Sequence, residues 1–265
     1  MKLGCCSWSY HRSLERRRLT FYEWLRICSQ ELQVGGVDII AEQMPSRTRR
    51  CWLEVRKRCT DGRLSIACLS PGNDFGKPTA IARRRQVDNV RRWIDTAVIL
   101  GAPCLRIFAG WAPPGEAARR WPRMVACVRR VARDAAQAGV TLVVEPHDEG
   151  GFLSNSRTTL RLIHELESPW VRINLDVGNY READVYAGLE RSLPYAPHVV
   201  AKVHRLSPGG EELTLDYGRI FRMLKRHCYQ GFITLEYESQ LDERIGVPKS
   251  ILMLRRYAQR LGFAG

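Results

Sequence analysis

No stretch of the chain approaches the roughly 18 consecutive apolar residues that a membrane-spanning helix needs, which argues against a membrane partner. The opening residues MKLGCCSW run from a single Lys into a strand-like stretch, with no long apolar core and no small-residue cleavage site. The expected location is therefore cytoplasmic. The nine cysteines form no CxxC pair and no zinc-finger spacing. Such scattered cysteines are expected to be small core residues in a reducing compartment, with Cys5 and Cys6, being adjacent, on opposite faces of a strand. No linker, low-complexity run or break in composition marks a second domain. A glycine-rich phosphate turn is also missing after the first strand, where GCCSWSYHR stands; this argues against a doubly wound dinucleotide-binding sheet.

Lysines are few, so the net charge of +14 comes from arginine. A basic surface attracts phosphates and nucleic acid without regard to sequence. Here the arginines recur on almost every expected helix: Arg16 to Arg18, Arg47 to Arg50, Arg83 to Arg85, Arg119 to Arg123 and Arg129 to Arg133. They form no single stripe with interleaved aromatics. They read first as solvated helix faces, with affinity for an anionic substrate or nucleic acid as the alternative.

What is present is a strict alternation of strand and helix. Expected strands are Leu3–Trp8, Val37–Glu42, Leu64–Ser70, Cys104–Gly110, Thr141–Glu145, Val171–Asp176, Val199–His204 and Phe232–Tyr237. All are short and rich in Val, Ile, Leu and Cys, as strands buried on both faces are. The first helix opens on Thr20, Phe21, Tyr22 and Glu23, a capping box, and carries Phe21, Trp24, Leu25 and Cys28 at helical spacing. Another spans Thr79 to Leu100 and stops at Gly101. The others are expected over Arg47–Cys59, Glu116–Ala138, Arg157–Glu165, Ala183–Leu193, Tyr217–Cys228 and Pro248–Leu261. Eight such repeats in 265 residues predict a (β/α)8 TIM barrel of class α/β, one domain over residues 1–265. The segment from Pro71 to Phe75 reads as a mobile loop over the barrel mouth.

Chemistry in such a barrel sits at the C-terminal strand ends. Strand five ends in Glu145, strand six in Asp176, strand seven in His204 and strand eight in Glu236, at separations of 31, 28 and 32 residues. Alternation can turn all four inward, over a layer of Val143, Asn174, Lys202 and Thr234. Three carboxylates aimed at one small volume repel strongly, and a divalent cation removes that repulsion. The donor set suits Mn²⁺, Mg²⁺, Co²⁺, Fe²⁺ or Zn²⁺, and the lack of thiolate argues against a structural zinc.

On Ile94 to Gly110, VVEPH, INLDVGN, VVAKVH, Leu215 to Glu238 and VPKSILMLRR, the whole chain resembles the xylose isomerase-like TIM barrels: sugar (phosphate) isomerases, epimerases and apurinic-site endonuclease relatives. The resemblance implies one metal ion, Mn²⁺ foremost, held by Glu145, Asp176, His204 and Glu236, with Glu145 and Glu236 as the acid/base pair. It implies isomerisation or epimerisation of a sugar, keto-sugar or polyol derivative by proton abstraction beside a metal-bound carbonyl, through an enediolate. A lyase or dehydratase on a keto-polyol or C-glycoside-type substrate is the alternative, since the same site can run elimination. Substrate-binding candidates are His147, Trp8 beside Tyr10 and His11, Glu42, Trp111, Asn179 and Arg205. Three departures stand out. Asn179 replaces a substrate-binding His that epimerase-like members commonly carry, Lys202 replaces the first His of a common HxH, and Arg205 replaces a frequent Lys.

The endonuclease relatives use three metals and need further histidines and acids, which RLSPGGEELTLDY does not supply. A nuclease, or an inactive binding barrel, therefore ranks last. Asp148 and Glu149 read as loop residues. Whether the barrel pairs into a homo-oligomer stays open.

Overall fold

A computed structural model describes residues 1–147 and 150–263; Asp148 and Glu149 thus lie outside the described residues. Eight strands follow one another in a closed barrel: β1 (Lys2–Cys6), β2 (Gly36–Ile40), β3 (Ser65–Ser70), β4 (Cys104–Phe108), β5 (Thr141–Glu145), β6 (Val171–Asp176), β7 (His198–Val203) and β8 (Phe232–Tyr237). The expected (β/α)8 architecture is present. The helices between them are α1 (His11–Glu15), α2 (Phe21–Arg26), α3 (Arg49–Asp61), α4 (Ala80–Leu100), α5 (Ala117–Ala138), α6 (Ser156–Leu166), α7 (Val185–Ser192), α8 (Tyr217–Arg226) and α9 (Glu243–Arg260).

Local chemistry explains the helix starts. The capping box at α2 is complete, with Thr20 and Glu23 bonding each other's backbone. Thr48, Thr79, Asn155, Asp184, Asp216 and Asp242 each accept a first-turn N–H with the side chain. Helix α9 begins at Glu243, five residues before the expected Pro248, because the Asp242 cap and the acidic first turn outweigh the preference of proline for the first position.

Two compact units make up the chain: Met1–Ala67 with His198–Gly265, and Cys68–Pro197. In the first, parallel β1 pairs with β2 and β8, and β7 with β8. Inward positions alternate along each strand, and Gly4 is one of them. A Cβ there would stand 2.6 Å from Thr234 Cγ2, so only glycine leaves room for that threonine. Thr234 and His198 both bond Asp38 Oδ2, at 2.5 and 2.7 Å, forming a buried polar knot. In the second unit, β4 pairs with β3 and β5, and β5 with β6. Its interior carries Cys68, Cys104 and Val143 as an apolar cluster, so Val143 faces inward as expected.

Several expected strand ends are instead tight turns. Strand β1 stops at Cys6 and Trp8 lies on a 3-10 turn over Ser7–Tyr10. Strand β2 stops at Ile40 and Glu42 lies on the turn Ala41–Gln43. The segment from Pro71 to Phe75 is anchored rather than loose. Asn73 bonds both the N–H and the carbonyl of Phe108 at 2.8 Å, Asp74 Oδ1 accepts from the backbone N–H groups of Gly76 and Trp111, and Phe75 is fully buried. Apolar burial and backbone bonding by Asn and Asp override the turn composition that suggested mobility.

Candidate active site

In the second unit, β5 delivers Glu145 at its last residue, buried and answered on Oε2 by two partners. Asn174, one inward position below Asp176 on β6, donates its amide at 2.6 Å. The Arg106 guanidinium on β4 stands 3.5 Å away and lies over the Phe108 ring, 3.9 Å from its centroid. Register explains both contacts, since β4 aligns Arg106 with Val143 and β5 aligns Val143 with Arg172. Asp176 ends β6 fully buried, and its Oδ1 accepts from the Gly178 N–H at 2.8 Å.

Past these strand ends the rings of Phe108, Trp111 and His147 form a cluster with centroids 5.0 to 5.6 Å apart. Trp111 is set there by a bridge to Gly151. The exit from β4 turns at Gly110 (φ +97°), where a Cβ would collide with Asp74 Oδ1 at 2.2 Å. Asn179 is buried and its amide donates to the Pro146 carbonyl at 3.1 Å. It therefore grips the chain between Glu145 and His147.

In the first unit, Lys202 on β7 and Glu236 on β8 are register partners and form a tight ion pair, their side chains 5% and 13% exposed. Lys202 Nζ also stands 3.5 Å from Glu238 Oε1. Glu238 receives the Trp8 indole N–H at 3.2 Å and faces His204 Nδ1 at 3.6 Å. Burial pushes the Glu238 carboxyl up. The His204 hydrogen bond, the Lys202 ammonium and the Trp8 N–H together more than reverse this and hold it at about 2. Trp8 stacks on His11 with centroids 4.6 Å apart, a flat apolar wall of the kind sugar faces rest on. Burial, then the charges of Glu236 and Asp38, push the Cys6 thiol well above its usual range, so this cysteine stays protonated.

Three partners escaped the sequence reading: Arg106, Asn174 as a bond to Glu145, and Glu238. Asn174 and Glu238 each lie two residues from a recognised position, Asp176 and Glu236, so period-two alternation carried a signal for them; nothing in the sequence marked Arg106. Glu42 and Arg205 are exposed, the latter on a β-bridged turn whose backbone N–H bonds Glu212.

Three carboxylates and one imidazole make a hard-oxygen and borderline-nitrogen donor set that suits a divalent cation. Among the described residues, no group of three or more His, Cys, Asp and Glu side chains stands as a ready metal cage. Both expected acid/base glutamates are already answered by protein cations, Glu236 by Lys202 and Glu145 by Arg106. A divalent ion at either carboxylate would compete with the side chain that answers it.

Comparison with known proteins agrees with the fold. The model of the family described as Xylose isomerase-like TIM barrel matches residues 20–257. A Danio rerio protein named "Putative hydroxypyruvate isomerase" is 25% identical over 187 residues, 63% of this chain; the chain spans 65% of that relative's length. The apo structure of the 3-keto-D-glucoside 4-epimerase YcjR from E. coli superposes with a TM-score of 0.80 at 18% identity, covering 97% of this chain and 99% of that one. D-psicose 3-epimerase with D-tagatose, from Clostridium cellulolyticum H10, gives 0.78 at 16% identity, over 98% and 96%. No helix among the described residues is long and apolar enough to cross a membrane.

Proposed function

The chain belongs to the xylose isomerase-like TIM barrel family, and from that premise we propose that it is an isomerase or epimerase of a small keto-sugar or polyol derivative, working as one barrel domain in the cytoplasm. One observation carries the reading. Glu145, buried at the end of β5, and Glu236, partly buried in β8, are each held by dedicated partners.

Glu145 and Glu236 are the proton-transfer pair. A carboxylate that moves a proton to or from carbon must be held within reach and oriented toward it. Asn174 fixes the Oε2 lone pair of Glu145, and Arg106 places a cation beside it. Lys202 does the same for Glu236. Trp8 with His11, and Trp111 with His147, supply flat apolar surface to orient a ring or chain of hydroxyl-bearing carbons. Asn179 holds the backbone that carries His147. Glu145, Asp176, His204 and Glu236 would hold a divalent ion, Mn²⁺ by preference, which would supply Lewis-acid polarisation of a substrate carbonyl.

The test is wash-in of solvent deuterium at carbon across a panel of ketoses, 3-keto-glycosides and hydroxypyruvate, with Mn²⁺ and with a chelator. Exchange in the wild type, lost by about 10³-fold in both Glu145→Gln and Glu236→Gln, supports the reading. Exchange unaffected by either substitution refutes the pair. A new enone absorbance without exchanged substrate points to the eliminating alternative, and exchange insensitive to chelation removes the metal.

A further inference from the structure

Part of the arginine recognised along the chain converges. Helices α4 and α5 enclose a surface groove of about 440 Å³, within the usual size of a small-molecule site. Six arginines line it: Arg83 and Arg84 from α4, and Arg123, Arg129, Arg130 and Arg133 from α5. Val87 and Cys127, both buried, form an apolar floor. Among the described residues no carboxylate lines the groove, and none of the six makes an ion pair with one. Of the acids on the same helices, Asp88 and Asp134 are tied to Arg91, and Asp95 is exposed and does not line the groove.

Two of the arginines are held in place. Arg83 Nη1 donates to the carbonyls of Lys77 and Pro78 at 2.8 Å, and Arg129 Nη2 to the Glu165 carbonyl at 2.9 Å. Carbonyls fix a guanidinium without neutralising it. Burial pushes the Cys127 thiol up, while Arg83 and Arg130 pull it back, so the field of both helices meets at the floor. On α5, Arg129 and Arg133 are four residues apart, and Arg130 and Arg133 three, spacings at which like charges destabilise a helix. Among the described residues no ion pair offsets this repulsion; the internal contacts are the carbonyl bonds of Arg83 and Arg129. An anionic ligand would reverse its sign.

We propose that the α4–α5 groove binds a nucleoside di- or triphosphate, with the guanidinium groups on the phosphate oxygens and the base on the Val87 and Cys127 floor. Arginine suits phosphate because its planar fork donates two parallel hydrogen bonds. The concave shape and apolar floor favour a compact ligand over a nucleic-acid strand, for which the groove offers no aromatic stacking platform. The groove lies on helices, apart from the strand-end residues, so it does not depend on the isomerase reading.

The experiment is calorimetric titration of the full chain with ATP, adenosine, tripolyphosphate and a 20-base-pair duplex. It includes the exposed-site variants Arg123→Glu/Arg130→Glu and Arg123→Lys/Arg130→Lys, each checked for folding by circular dichroism. One saturable ATP site is expected. It should weaken about 30- to 100-fold on charge reversal and only severalfold with lysine, with adenosine undetectable and tripolyphosphate at least about tenfold weaker than ATP. Glu145→Gln is expected to leave ATP affinity unchanged. No ATP binding, equal binding by the charge-reversal variant, or tripolyphosphate binding as tightly as ATP would overturn the proposal. So would duplex binding at physiological salt that excludes ATP.

Discussion

Replacing Lys202 by Met tests whether the strand-end carboxylates depend on an internal cation. Methionine keeps the unbranched shape and removes only the charge. The Lys202 side chain is 5% exposed, and its ammonium stands in contact with Glu236 and 3.5 Å from Glu238. At that distance and an effective dielectric constant near 20, one pair is worth about 5 kcal/mol before desolvation. Removing one partner of a buried pair costs about 3–5 kcal/mol, because the remaining charge stays buried without its partner. For a chain of this size, that lowers the melting temperature by about 6–10 °C.

The assay is thermal unfolding in the presence of a chelator, repeated with millimolar Mn²⁺. In chelator, Lys202→Met is expected to melt that much below the wild type. Adding Glu236→Gln to it should recover much of the loss, since one of the two stranded charges is then gone. Mn²⁺ should raise the variant more than the wild type, because a metal bound at Glu236 no longer competes with Lys202. A chelated variant within about 2 °C of the wild type would refute the ion-pair argument. Equal Mn²⁺ shifts in both proteins would refute the competition.

Other expectations follow from the same geometry. His198→Phe strands Asp38 and Thr234 in the interior and should cost about 3–5 kcal/mol in urea unfolding, with an unchanged slope. The Glu238 carboxyl, at about 2 in the folded chain, lies below the unfolded value of about 4.3. Its stabilisation is therefore complete above that unfolded value and is lost as pH falls toward 2. Glu238→Gln should flatten the stability-versus-pH curve in that window and shift Trp8 fluorescence. Thr20→Ala removes half of the capping box and should cost about 1 kcal/mol, read as a lowered denaturation midpoint.

The barrel was legible because its signals are local and periodic. Short β-branched runs, the Thr20 capping box and the glycine stop at Gly101 are each decided within a few residues. The strand-end acids were legible for the same reason, each falling one repeat after the last. What the acids touch was not legible, because it depends on register between strands far apart in the chain. Arg106 reaches Glu145 across 39 positions, and Lys202 reaches Glu236 across 34. Lys202 was visible as an inward-layer residue and as a histidine missing from a motif, not as a partner of Glu236. The structure makes it a cation facing two glutamates, so the substitution adds positive charge where the family pattern has a titratable ring. That difference bears on metal affinity more than on fold, and it is why a chain so plainly a barrel still needs the Lys202→Met measurement to say how it holds its charge.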